Sequence, residues 1–138
     1  MADPVPSRIA IVLDDGLVSW QRLNVTAFLA SGIAAQSRQL VGEPYRDGSG
    51  AGYCPMFIHP VIVYQAARAD LARLLAGARA QGLVPALFTT ELFFTGNDHD
   101  NRAAVAQFAT EELTLVGLGL AGPRPAMNKL LAGLSKHP

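Results

Sequence analysis

The chain has one cysteine, Cys54, three histidines and one tryptophan. A single thiol excludes an intrachain disulfide and fits a reducing compartment. His59, His99 and His137 are widely separated, and no Cys/His pair has zinc spacing, so no metal centre is expected. Charge is scarce as well: 16% of residues are charged, with 11 Lys+Arg against 11 Asp+Glu. The resulting net charge of zero argues against an electrostatic grip on nucleic acid or an anionic membrane. It leans instead towards self-association, such as a homodimer. No apolar run approaches the roughly 20 residues needed to cross a bilayer. The opening MADPVPSRIAIVL lacks the basic start and long apolar stretch of a secretory signal, so a cytoplasmic location is expected.

What is present is apolar. Half of the 138 residues are hydrophobic, enough for the core of one domain spanning residues 1–138, with Met1–Ser7 expected to be flexible. Arg8–Leu13 (RIAIVL) is a β-branched run suited to a strand buried on both faces, and Asp14-Asp15-Gly16 breaks it. Leu23–Ala35 predicts a helix with Leu23, Ala27, Ala30 and Ala34 on one stripe. Its Ala30, Ser31 and Gly32 would let a neighbouring backbone come close. Arg46–Tyr53 (RDGSGAGY) is a hairpin signal. Strands are expected at Val61–Tyr64, Leu83–Thr89 and Leu113–Leu120, with Pro85 marking an edge or a bulge. Helices are expected at Ala66–Gln81, Asp98–Phe108 and Pro125–Leu134, the first stopped by Gly82. Strands alternating with helices give an α/β layered domain, and the hairpin makes its sheet mixed.

Few segments advertise chemistry. Gly117–Gly122 spells GLGLAG, a literal dinucleotide fingerprint, yet only 16 residues follow it and none is acidic. Close packing explains these glycines better, and no cofactor is expected. Cys54 and His59 are five apart, which on a strand sends their side chains to opposite faces. The densest polar cluster is TGNDHDN, Thr95–Asn101. As a calcium loop its register is broken by Asn97, His99 and Asn101, or by Arg102. Asn97 or Asp98 as the N-cap of a helix, with acidic residues in its first turn, is the stronger reading. In open α/β sheets ligands sit beyond the carboxyl ends of strands. If the first strand and Leu83–Thr89 are neighbours, Asp14, Asp15, Trp20, Asn24, Thr89, Thr90 and Glu91 converge on one pocket for a small polar ligand, with His99 or Asn97 at its rim.

RIAIVLDDGL, WQRLNVTAFLASGIAA, LVGEP, PALFTTELFFTGND, NRAAVA and LVGLGLAGPRPAMNKLLAGL resemble, in order, the blocks of the domain of unknown function 2000 family, from Arg8 to Pro138. The resemblance implies the fold of type 2 peptidyl-tRNA hydrolase: a three-layer α/β/α sandwich with a mixed four-stranded core sheet, plus the β-hairpin. It implies no activity. That hydrolase carries a lysine-rich first loop, where this chain has DDGLVSWQR with only Arg22 basic. Its aspartate after the later strand falls here among Thr89, Thr90 and Glu91, followed by an extra helical segment, Glu91–Phe108. The scaffold is similar while the hydrolase residues are not. Three function classes follow: a small polar-ligand-binding domain; a hydrolase of an ester or amide with Glu91 or Asp15 as general base; and a non-catalytic homo-oligomeric module.

Overall fold

A computed structural model describes residues 6–138. Residues 1–5 of the expected flexible start lie outside it. The first strand, β1 (Arg8–Asp14), is central in a five-stranded sheet. Its neighbours are β4 (Val61–Ala66), parallel to it, and β6 (Leu115–Gly122), antiparallel. The edges are β5 (Ala86–Thr89) on β6 and β7 (Ser135–Lys136) on β4, both antiparallel. A separate two-stranded sheet joins β2 (Tyr45–Arg46) to β3 (Gly52–Tyr53). Among the described residues the α-helices are α1 (Ser19–Gln36), α2 (Arg68–Ala80), α3 (Asp98–Ala106) and α4 (Arg124–Leu131).

Alternation along β1 divides the core. Ile9, Ile11 and Leu13 face α1 through Val25, Leu29 and Ile33. Ala10 and Val12 face α2 and α4, through Leu71, Leu75, Met127 and Leu131. Helices therefore cover both faces, which is why β1 reads as an unbroken apolar run rather than an alternating one. Each fully buried aliphatic side chain contributes roughly 1.5–3 kcal/mol relative to exposure.

GLGLAG is explained by packing. A Cβ at Gly117 would lie 2.7 Å from Val25 Cγ1, and one at Gly119 3.0 Å from Ile33 Cδ1. These two glycines let α1 sit directly on β6, while Leu118 and Leu120 fill the opposite face. Gly32 does the reciprocal service from the helix, its hypothetical Cβ 3.0 Å from Ala86 Cβ.

Several boundaries differ from expectation, for identifiable reasons. The sheet has five strands rather than four, because the chain turns after α4 at Gly133 (φ 83°) and β7 pairs with β4. Helix α1 begins at Ser19, four residues before Leu23. Val18 has no side-chain oxygen to cap it, so the Gln21 side chain instead accepts from the Val18 N–H (3.1 Å). The buried stripe of α1 is Val25, Leu29 and Ile33, and the expected Leu23 stripe leaves Leu23 itself 74% exposed. Pro85, which lacks an N–H, sets the start of β5 at Ala86, on an edge as it must. In the hairpin, Asp47 accepts from the Ser49 and Ala51 N–H groups and the Tyr53 hydroxyl (2.9, 3.0 and 2.8 Å). Led by the Tyr53 hydroxyl, these donors hold its carboxyl below the usual range.

Candidate ligand cleft

Strand order decides which polar residues meet. β5 runs antiparallel to β6, and β6 antiparallel to β1, so β1, β4 and β5 end at the same edge of the sheet. But β1 and β5 are not neighbours; β6 lies between them. Asp14 and Thr89 are thus set two strand spacings apart, roughly 9–10 Å. The single seven-residue pocket, which depended on adjacent strands, separates into three groups.

The first group is Asp14, nearly buried at the end of β1. Its Oδ2 accepts from Arg68 Nε (3.0 Å) and Nη2 (2.9 Å), and its Oδ1 from the Gly16 N–H (3.0 Å). This carboxylate ties the end of β1 to the first turn of α2. Asp15 is exposed, and its backbone, not its carboxylate, is what the fold uses: the N–H donates to Ala66 O (3.0 Å) and the carbonyl accepts from Arg22 (2.8 Å).

The second group is Thr89, Thr90 and Glu91, at a register slip between Phe88 and Thr89. The Thr114 hydroxyl donates to the Glu91 carboxylate at 2.8 and 3.0 Å, and the Thr90 N–H and hydroxyl reach Thr114 O. Burial pushes the Glu91 carboxyl up, but its own N–H and the hydroxyls of Thr114 and Thr89 together hold it below the ordinary range. Glu91 is a hydrogen-bonded staple between the end of β5 and the start of β6.

The third group forms a cleft. Trp20, Asn24 and Phe28 follow one another at four-residue spacing along α1, so they share a face. Packed against them are Phe88 of β5 and Phe93 of a short 3₁₀ turn (Thr90–Phe94), and across from these stands the Thr95–Asn101 segment with the first turn of α3. Trp20 meets Phe93 edge-on (ring centroids 5.6 Å), Phe93 meets Phe88 (5.0 Å), and Phe88 meets Phe28 (5.7 Å). The four rings form one wall of a cleft of about 340 Å³. Trp20 is 59% exposed, so this ring stands at the rim of the cleft.

TGNDHDN supplies the polar wall. Asn97 N-caps α3: its Oδ1 accepts from the Asp100 N–H (2.8 Å) and its Nδ2 donates to Asp100 (2.9 Å). Asp98 pairs with Arg102 one turn on, and the Thr95 hydroxyl donates to Asn101 Oδ1. The helix-start reading of this stretch holds. Among the described residues no group of three or more His, Cys, Asp or Glu gathers around a common point. The His99 side chain is 92% exposed and points away from the cleft, because position 99 lies on the solvent face of α3's first turn. Trp20 and Asn24, with Asn97 of the anticipated rim, are thus the expected site residues that line this cleft.

The hydrogen-bond inventory marks what the cleft can hold. Asn24 makes no side-chain hydrogen bond among the described residues, and the Asn101 amide nitrogen is likewise unspent. Two amide groups beside an aromatic wall fit a flat ring with acceptors on its edge. Phe28, Phe93 and Asn101 were missed from sequence. Phe28 was legible, four residues after Asn24 on the same helix. The other two needed the path of the chain after β5.

Comparison with known proteins gives a consistent picture. A family model described as "Protein of unknown function (DUF2000)" matches residues 7–138. The solved structure of Atu0240, a protein of unknown function from Agrobacterium tumefaciens strain C58, is similar to this chain. It has a TM-score of 0.89 and 37% identity over 95% of this chain and 97% of that one. No curated protein matches.

Proposed function

The chain belongs to the DUF2000 family, which has no assigned activity, and from the cleft on α1 we propose that it is a small-ligand-binding domain rather than a hydrolase. The carrying observation is the convergence of Trp20 and Asn24 with Asn101 around one aromatic wall. The ligand class is a small, flat ring bearing carbonyl or ring-nitrogen acceptors. The scaffold is read as type 2 peptidyl-tRNA hydrolase-like, an α/β/α sandwich. Helices on both faces of a mixed sheet and the glycine-rich β6 support that reading. An exposed lone Cys54 supports a reducing, cytoplasmic setting, and zero net charge supports the absence of a nucleic-acid partner.

The hydrolytic alternative asked for a carboxylate with a raised pKa in a cleft. Glu91 is shifted the other way and Asp15 is exposed at the end of β1, so neither candidate base is a buried carboxylate in a cleft. The oligomeric alternative has a specific observation in its favour. Tyr45, Tyr53, Met56 and Ile58 are all exposed on the hairpin arm that runs from Leu40 to Ile58. A homodimer through that arm is tested by sedimentation at micromolar concentration, where a monomer alone removes it.

Trp20 is the one tryptophan, so binding in the cleft reports itself. A panel of flat heteroaromatic fragments, followed by Trp20 emission and by the side-chain amide signals of Asn24 and Asn101, is expected to yield hits that move all three. Hits that move only residues elsewhere would defeat the proposal.

A further inference from the structure

The opposite flank of α1 carries a second cleft, larger at about 610 Å³, which the reading above does not use. Helix α1 packs on β1, β5 and β6 and stops short of β4. The α1-facing side chains of β4, Val61 and Val63, are therefore only partly covered. With Leu23, Ala27 and Ala30 of α1 they make a groove whose walls are aliphatic apart from Thr26, and whose one ring, the His137 imidazole, stands at its polar end.

One end of this groove is positive. Arg22 is fixed by three contacts: Nε to Leu17 O (2.7 Å), Nη2 to Asp15 O (2.8 Å) and Nη1 to His137 Nε2 (2.7 Å). A guanidinium only donates, so His137 Nε2 accepts, and its Nδ1–H donates to Pro138 O (2.9 Å). Three of the five guanidinium N–H groups are spent on neutral acceptors, which leaves two donors and the whole charge. Lys136 lines the same end. Among the described residues neither Arg22 nor Lys136 has a carboxylate partner, and no Asp or Glu lines the groove. The α1 N-terminus, free of acidic residues in its first turn, adds its positive dipole end.

We infer that this groove binds a medium-chain aliphatic carboxylate, its two oxygens at Arg22 and Lys136 and its chain along Ala27, Ala30, Val61 and Val63. The head group is chosen by charge complementarity and by the two free guanidinium donors, which suit a two-oxygen acceptor. The tail is chosen by the aliphatic stretch of wall that Ala27, Ala30, Val61 and Val63 provide.

The test is a titration of the full chain with octanoate, acetate and octylammonium, each below its micelle-forming concentration, followed by backbone amide NMR and calorimetry. Octanoate is expected to bind and to shift the amides of Ala27, Ala30, Val63 and Lys136, leaving Trp20 emission and the Asn101 side chain unmoved. Acetate and octylammonium are expected not to saturate. Lys136→Glu, at an exposed position, is expected to weaken octanoate by about tenfold. Ala27→Trp, also exposed, is expected to abolish binding by filling the groove while the remaining spectrum stays native. Equal binding of octylammonium and octanoate, shifts confined to the aromatic cleft, or an unchanged affinity in Ala27→Trp each overturn the inference.

Discussion

The two flanks of α1 are made by one helix and differ in almost every respect. The Trp20, Asn24, Phe28 side is aromatic and carries uncharged amides. The Leu23, Ala27, Ala30 side is aliphatic and ends in two cations. Helical periodicity alone separates these stripes, with the buried Val25, Leu29, Ile33 stripe between them and the sheet. Each flank is completed by a late part of the chain: Thr95–Asn101 on one side, Lys136–Pro138 on the other. The lesson is that α1 is a fixed ridge, and what is laid beside it decides the chemistry.

If the ridge is common to both clefts, breaking its seat should break both. Gly117→Val would drive a Cβ into Val25 Cγ1, already 2.7 Å from the hypothetical atom, with Leu29 Cδ1 at 3.1 Å. The helix must lift or the strand must bend, at a cost of about 3 kcal/mol. Chemical denaturation is expected to show that loss, and binding on both flanks is expected to fall together. A variant that loses one cleft and keeps the other would show that the flanks are independent structures.

A smaller effect should fall on the aromatic flank alone. Glu91 staples the strand ends from which the 3₁₀ turn and Phe93 depart. Because its folded carboxyl lies below the ordinary value of 4.5, the unfolded chain binds the proton more readily. Its stabilisation is therefore full above pH 4.5 and is lost as pH falls through that value and then through the lower folded one. Glu91→Gln is expected to cost about 1–2 kcal/mol at pH 7 through its charge-assisted hydrogen bonds. The gap to the parent should close in acid denaturation curves taken towards pH 3. A gap that stays constant with pH would mean that the carboxylate charge plays no part.

Much of the ridge was legible in the sequence and much of what lies beside it was not. The apolar run of β1, the helical spacing of α1 and the glycines of β6 are local patterns with local meanings, and each corresponds to an element found. The Asp14–Thr89 pocket required β1 and β5 to be neighbours, and they are not, which is a property of strand order. β6, entering the sheet between them from later in the chain, carries no local mark of that destination. The same holds for β7: two residues after a glycine turn have no periodicity to detect. TGNDHDN was legible as a cap, because Asn97 accepting from the Asp100 N–H is a contact within four residues. Asn97→Ala is accordingly expected to cost about 1 kcal/mol in thermal melts. His99→Ala, at a fully solvated side chain, should cost nothing measurable.

A comparably small effect on stability is the most informative about function. Asn24 is half-buried on α1, yet its amide holds no other side chain or backbone group among the described residues. Removing it with Asn24→Ala deletes no internal hydrogen bond and places a better helix former at the same position. Stability should therefore change by less than about 0.5 kcal/mol, as for a surface substitution away from special features. A ring that binds through that amide would lose a hydrogen bond worth roughly tenfold in affinity. Octanoate on the opposite flank should be unaffected. Fragment titrations in which Asn24→Ala binds as tightly as the parent would leave the aromatic wall as packing and remove the amide from recognition. A loss confined to the aromatic flank would separate two clefts that share a helix but not a ligand.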